Sequence, residues 1–167
     1  MPRPAGQQWR YSLRCRTRHT RAIDLVERVI YTPPGGPPQG PAPNNAIYRI
    51  MGEANVFRMM LDFYKELESS ELRPLFPADM EQASKKSAEF FVTILGGPPL
   101  YAQKYGPPRM RARHIPFEID ERRRQIWLKC FDRVLEGADV KYGFPMEHME
   151  GFKNFLKSFS AWMVNTA

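Results

Sequence analysis

Reactive side chains are scarce in this chain: two cysteines and three histidines among 167 residues. Cys15 lies near the start and Cys130 inside a helical pattern, which provides no disulfide framework and points to a reducing compartment. No CxxC, HExxH or close His/Cys/carboxylate cluster supplies the ligand spacing of a zinc site. Hydrolytic catalysis needs a nucleophile, a base and an orienting group together. Cys130 with His114 is the one conceivable Cys–His pair, and Cys130 shares an apolar face with Trp127 and Phe131, where a thiol packs as a small hydrophobe. Gly96-Gly97 follows a helical pattern instead of opening one, so it ends a helix and cradles no phosphate. Long apolar runs are missing too. None approaches the roughly 18 residues of a membrane span, and the start lacks the apolar core of a secretory signal. The expectation is a soluble, cytoplasmic chain.

What is present is core material and positive charge. Apolar residues make up 43% and aromatic residues 13% of the chain, enough for one domain with its own core. The net charge of +7 is unevenly placed. Seven arginines (Arg3, Arg10, Arg14, Arg16, Arg18, Arg21, Arg28) face only Asp24 and Glu27 within residues 1–44, leaving +5 there and +2 for the rest. The body is nearly balanced, which weakens any inference to nucleic acid. Residues 33–43, Pro-Pro-Gly-Gly-Pro-Pro-Gln-Gly-Pro-Ala-Pro, form a linker through which neither helix nor strand propagates. The expected division is a basic, Pro/Gly-rich extension over 1–44, disordered or weakly ordered, and a domain over 45–167. Within the extension, Ile23, Val26, Val29 and Ile30 allow a short amphipathic helix over 20–31. The arginine-rich start also has the composition of an organellar targeting segment.

Beyond the linker the hydrophobic period is helical throughout, with no run of strand alternation, so the fold class is all-α. Four long helices are expected. The first, 53–69, places Val56, Met60, Phe63, Tyr64 and Leu67 on one face. The second, 80–95, does the same for Ala83, Ser87, Phe90, Phe91 and Ile94, and Gly96-Gly97-Pro98-Pro99 stops it. Asp120 caps the third, which runs to Glu136. The fourth spans 147–165 with Phe152, Phe155, Leu156, Phe159 and Met163 at core spacing. Prolines between 100 and 117 leave room only for short helical turns, one of which carries His114.

A five-coordinate haem needs one axial histidine, a large apolar slot and a few polar groups. His114 qualifies by its surroundings: Phe63, Phe90, Phe91 and Phe131 can line a slot, with Tyr64 and Trp127 as polar-tipped aromatics. Arg109, Arg111 and Arg113 can pair with the carboxylates of a bound cofactor.

The runs Gly96-Gly97-Pro98…Tyr101, Gly106-Pro107-Pro108-Arg109-Met110-Arg111-Ala112-Arg113-His114-Ile115-Pro116-Phe117-Glu118-Ile119 and Trp127-Leu128-Lys129-Cys130 resemble the group II (O-type) truncated haemoglobins. Phe63-Tyr64, Phe76-Pro77 and Glu147-His148 also look like that family, and the resemblance covers about residues 45–166. It implies a two-over-two sandwich of helices B/E and G/H around haem b, with His114 as proximal ligand. Tyr64 and Trp127 would be the distal hydrogen-bond donors, and Phe76 would pack on the haem where some relatives have tyrosine. Tyr101, Arg111 and Arg113 would lie near the propionate edge, with Met110, Phe117 and Ile119 in the same motif. Ala83 falls near the usual distal position of the E helix. Ser87, one turn later, stands where a bulky apolar residue is more usual, which would enlarge and polarise the distal side. Met51-Gly52 replaces a pair of glycines common in relatives, and no histidine on the second helix offers bis-histidine coordination.

The resemblance implies reversible O2 binding, extending to NO, CO or sulfide, by a monomer or homodimer, with a reductase as a further partner. Two other readings stay open: a haem enzyme converting NO or peroxide, and a cofactor-free helical module for protein or nucleic acid.

Overall fold

The computed structural model describes residues 28–167, and among these the regular structure is entirely helical. Seven α-helices follow in order: α1 Ala46–Glu68, α2 Met80–Ile94, α3 Leu100–Tyr105, α4 Met110–His114, α5 Glu121–Leu135, α6 Ala138–Tyr142 and α7 Met149–Met163. Short 3-10 turns occupy Arg73–Leu75 and Met146–His148. α1 packs on α2, α5 on α7, and α1 also meets α5. Two helix pairs thus share one core.

Local chemistry accounts for the helix ends. Asp79 and Asp120 each turn a carboxylate onto a backbone N–H of the first turn, Gln82 N at 2.9 Å and Arg123 N at 2.7 Å, satisfying donors that the helix leaves unpaired. α2 ends where Gly96 adopts φ +101°. A Cβ there would lie 2.6 Å from the Asn45 Cα, so glycine lets the start of α1 close onto the end of α2, and Tyr48 N donates to Leu95 O at 3.1 Å.

The pairs are joined by aromatics, one from each long helix. Phe63 of α1 stacks on Phe131 of α5 with ring centroids 3.7 Å apart. Phe91 of α2 and Phe152 of α7 close on Phe131 at 5.7 and 6.4 Å. Tyr142 of α6 donates to Asp62 of α1 at 2.9 Å, and both burial and that carboxylate push its phenol pKa up.

Several boundaries differ from the sequence reading. α1 begins at Ala46 because the chain resumes helix on both sides of a break at Gly52, φ 72° and ψ 164°. The last helix starts at Met149 after a 3-10 turn and leaves Asn165 outside. α3 and α6 are too short to show a period. Of the helix expected over 20–31, residues 20–27 lie outside the described residues, as do Cys15 and the arginines before Arg28. Residues 28–31 are not helical and lie against the C-terminal segment, with Tyr31 N donating to Asn165 O at 3.0 Å. Among the described residues no helix is long and apolar enough to cross a membrane.

Candidate functional site

Between the helix pairs lies a cavity of about 500 Å3. Its wall is mostly apolar, with Met60, Leu72, Phe90, Phe91, Phe159 and Met163 among the contributors. That character suits a large, flat, apolar ligand held by few polar groups.

α4 brings His114 to this cavity. Immediately before the helix stands Arg109, the one non-glycine residue with positive φ (40°) among those described, which turns the chain out of Pro107-Pro108. Met110 and His114 are four residues apart and share a face. The His114 Nδ1 lies 2.6 Å from the Met110 carbonyl. A carbonyl only accepts, so Nδ1 carries the proton and Nε2 keeps its lone pair. Burial pushes the imidazole pKa down against the opposing pull of the Met110 bond, so the ring is neutral at neutral pH, the form that binds metal.

Tyr64, Ala83, Ser87 and Trp127 border the same cavity. Tyr64 reaches it from α1, its hydroxyl 2.6 Å from the Ser87 Oγ of α2. Burial raises the Tyr64 pKa despite the Ser87 bond, so it remains a phenol with a proton to give. Phe63 and Phe76 pack edge-on against its ring at 5.9 and 5.6 Å. Trp127 stands edge-on to Phe63 at 5.5 Å, and its indole N–H finds no acceptor among the described residues, leaving a donor for a ligand.

Two cations, Arg113 and Lys86, meet at the Tyr101 ring on the cavity border. Arg113 donates to Pro108 O at 2.8 Å and Tyr105 O at 3.2 Å and covers the Tyr101 ring at 5.7 Å. Lys86 lies 4.7 Å from the Tyr105 ring centre and pairs with no carboxylate among the described residues. Arg124 also borders the cavity but is already tied to Glu121 at 2.5 Å, to Ser160 at 3.0 Å and to Lys157 O at 3.0 Å. A neutral imidazole, apolar walls and cations suited to carboxylates together fit a haem.

Of the residues singled out from sequence, Phe63, Tyr64, Phe76, Ala83, Ser87, Phe90, Phe91, Tyr101, Met110, Arg113, His114, Phe117, Ile119 and Trp127 border the cavity. Two do not. Arg111 is turned away, donating to Val164 O at 3.0 Å and Tyr31 O at 2.7 Å. Two residues along α4 is a rotation of about 200°, so Arg111 and Arg113 cannot face the same ligand. Phe131 lies in the core behind Phe63, 1% exposed. Lys86, Met60 and Phe159 were missed because each looks like an ordinary surface or core position until the helices are packed.

The model of a family described as bacterial-like globin matches residues 46–163. The group 2 truncated haemoglobin YjbI of Bacillus subtilis is 38% identical over 98 residues, 58% of this chain and 74% of that protein. The group II truncated haemoglobin of Bacillus anthracis superposes with a TM-score of 0.66 at 31% identity, covering 77% of this chain and 95% of that one. A truncated oxygen-avid haemoglobin from Bacillus subtilis gives 0.65 at 34%, covering 71% and 98%. With His114, Tyr64 and Trp127 gathered at one cavity of a two-over-two helical body, the chain belongs to the bacterial-like globins as a group II truncated haemoglobin.

Proposed function

We propose that residues 45–167 bind haem b with His114 as the proximal ligand and hold O2 reversibly, with NO, CO and sulfide as further ligands. Membership of the globins carries haem and gas binding in general; the particular ligand set is what we propose. The observation that carries it is the His114 ring, which borders the cavity with Nδ1 turned to the Met110 carbonyl and Nε2 left as a lone-pair donor.

When bound, haem supplies the iron at which a gas molecule is held. The chain does the rest. His114 donates its Nε2 lone pair, and the Met110 carbonyl fixes the tautomer and makes the imidazole more basic. Tyr64 and Trp127 offer hydrogen bonds to a ligand that gains negative charge, which slows its escape. Ser87 holds the Tyr64 hydroxyl at 2.6 Å and so sets how freely that proton is given. Arg113 and Lys86 supply positive charge for carboxylates, with Tyr101 between them. Apolar side chains, Phe90, Phe91 and Met163 among them, keep water out.

Reconstitution with haemin tests this. The wild-type chain should give a five-coordinate ferrous spectrum and a stable O2 complex, while His114→Ala should lose haem readily. Unaltered haem retention and an unaltered ferrous spectrum in that variant would remove His114 from the role. Sustained NO or peroxide consumption with an added reductant would assign an enzyme instead.

A further inference from the structure

His114 sits at the last position of a five-residue helix, far below the length at which a helix holds its own place. Its position must come from tertiary contacts. One set is unusual in where it leads. The His114 carbonyl accepts from Asn165 Nδ2 at 3.0 Å. Asn165 is fully buried, its Oδ1 accepts from Ile119 N at 3.1 Å, and its own N–H donates to Ile119 O at 2.8 Å. Two further contacts of Asn165 go to the segment before the linker: Arg28 donates to its Oδ1 at 2.8 Å, and Tyr31 N donates to its carbonyl at 3.0 Å.

Arg28 does more than hold Asn165. Its guanidinium also bonds the Thr166 hydroxyl and the Ile115 carbonyl, the latter directly after His114. Arg111, one turn before His114, closes the loop. It donates to Tyr31 O at 2.7 Å and to the carbonyls of Val164 and Trp162, and covers the Trp162 ring at 4.4 Å. Neither guanidinium meets a carboxylate among the described residues. Both lie at the carbonyl end of α7, where the helix dipole favours a cation.

Chain connectivity does not force this docking. Residues 32–44 form a linker of thirteen residues, able to span up to about 45 Å when extended. The segment stays because its bonds hold it.

We infer that residues 28–31 are a strap that positions His114: Arg28, through Asn165 and the 115 carbonyl, and Tyr31, through Arg111, hold α4 against the end of α7. The firmness with which the proximal ligand is held is then set by residues upstream of the linker. This rests on His114 being the haem ligand, yet its first readout does not need haem. Arg28, Arg111 and Asn165 are positioning residues, since none borders the cavity.

The test uses the full chain carrying Arg28→Ala or the milder Arg28→Gln. Amide hydrogen exchange of the apo protein should speed up about tenfold over residues 111–119, as expected for losing a charge-assisted hydrogen bond, with α5 and α1 unchanged. In the reconstituted protein, haemin transfer to an acceptor globin should accelerate in parallel, and the ferrous iron–histidine stretching band should shift or broaden. Arg28→Lys should recover only part of each effect, because an ammonium cannot span acceptors on three segments. Exchange that stays unchanged over 111–119, or rises uniformly across all helices, overturns the strap. Haem retention in His114→Ala would instead overturn the ligand assignment and leave the exchange result standing.

Discussion

Tyr64 and Ser87 come from different helices, and their oxygens lie 2.6 Å apart. Two hydroxyls share one proton in such a bond. Either hydroxyl can donate; with the phenol as the more acidic partner, the expected arrangement has Tyr64 donating and Ser87 accepting. A gas molecule that wants the Tyr64 proton must then compete with Ser87. Ser87→Ala removes the competitor and should slow O2 release by roughly fivefold, the worth of one neutral hydrogen bond. Tyr64→Phe should speed release on the order of tenfold or more, because the acceptor carries charge. Stopped-flow O2 dissociation measures both, and Ser87→Ala should have no effect in the Tyr64→Phe background. Faster release in Ser87→Ala alone would show that Ser87 donates to the ligand itself. The sequence placed both residues on cavity-facing stripes, but the bond between them depends on how α1 crosses α2.

Helix ends were legible where the signal is local. Asp120 was expected to cap α5 and does so, because an aspartate oxygen needs only its own next turn to find a partner. Asp120→Ala should cost about 1 kcal/mol in urea unfolding, with the cavity spectrum unchanged. Gly52 marks the opposite case. Its place in the chain suggested a start, whereas the structure threads α1 through it at φ 72° and ψ 164°, a region nearly closed to other residues. No atom lies within 4 Å of where its Cβ would be, so crowding plays no part. Gly52→Ala should cost about 1–3 kcal/mol from backbone strain alone, seen as a lower urea midpoint with an unchanged slope. A smaller loss would mean that the kink relaxes. α6 escaped notice and α3 was legible only as one of the short turns the prolines allow, because five or six residues complete less than two turns.

At the scale of the molecule, the four aromatics Phe63, Phe91, Phe131 and Phe152 tie both helix pairs together, and the cavity opens beside them. Phe131→Ala should cost about 3–5 kcal/mol, even though Phe131 does not border the cavity. Haem should stabilise the fold by mass action: at a free haemin concentration a hundred times Kd, the gain is about 2.7 kcal/mol in thermal or urea unfolding. No gain in the wild-type chain would contradict a resident haem. The sequence by itself determined the all-helical class, the long helices and the cluster of residues that carries the globin resemblance, because hydrophobic period, caps and breakers act over a few residues. Only the tertiary structure decided which groups share the cavity, that Arg111 turns from it while Arg113 borders it, and that Arg28 reaches residues 115, 165 and 166. Those are contacts between segments far apart in the chain, and no local pattern encodes the rotation of one helix against another.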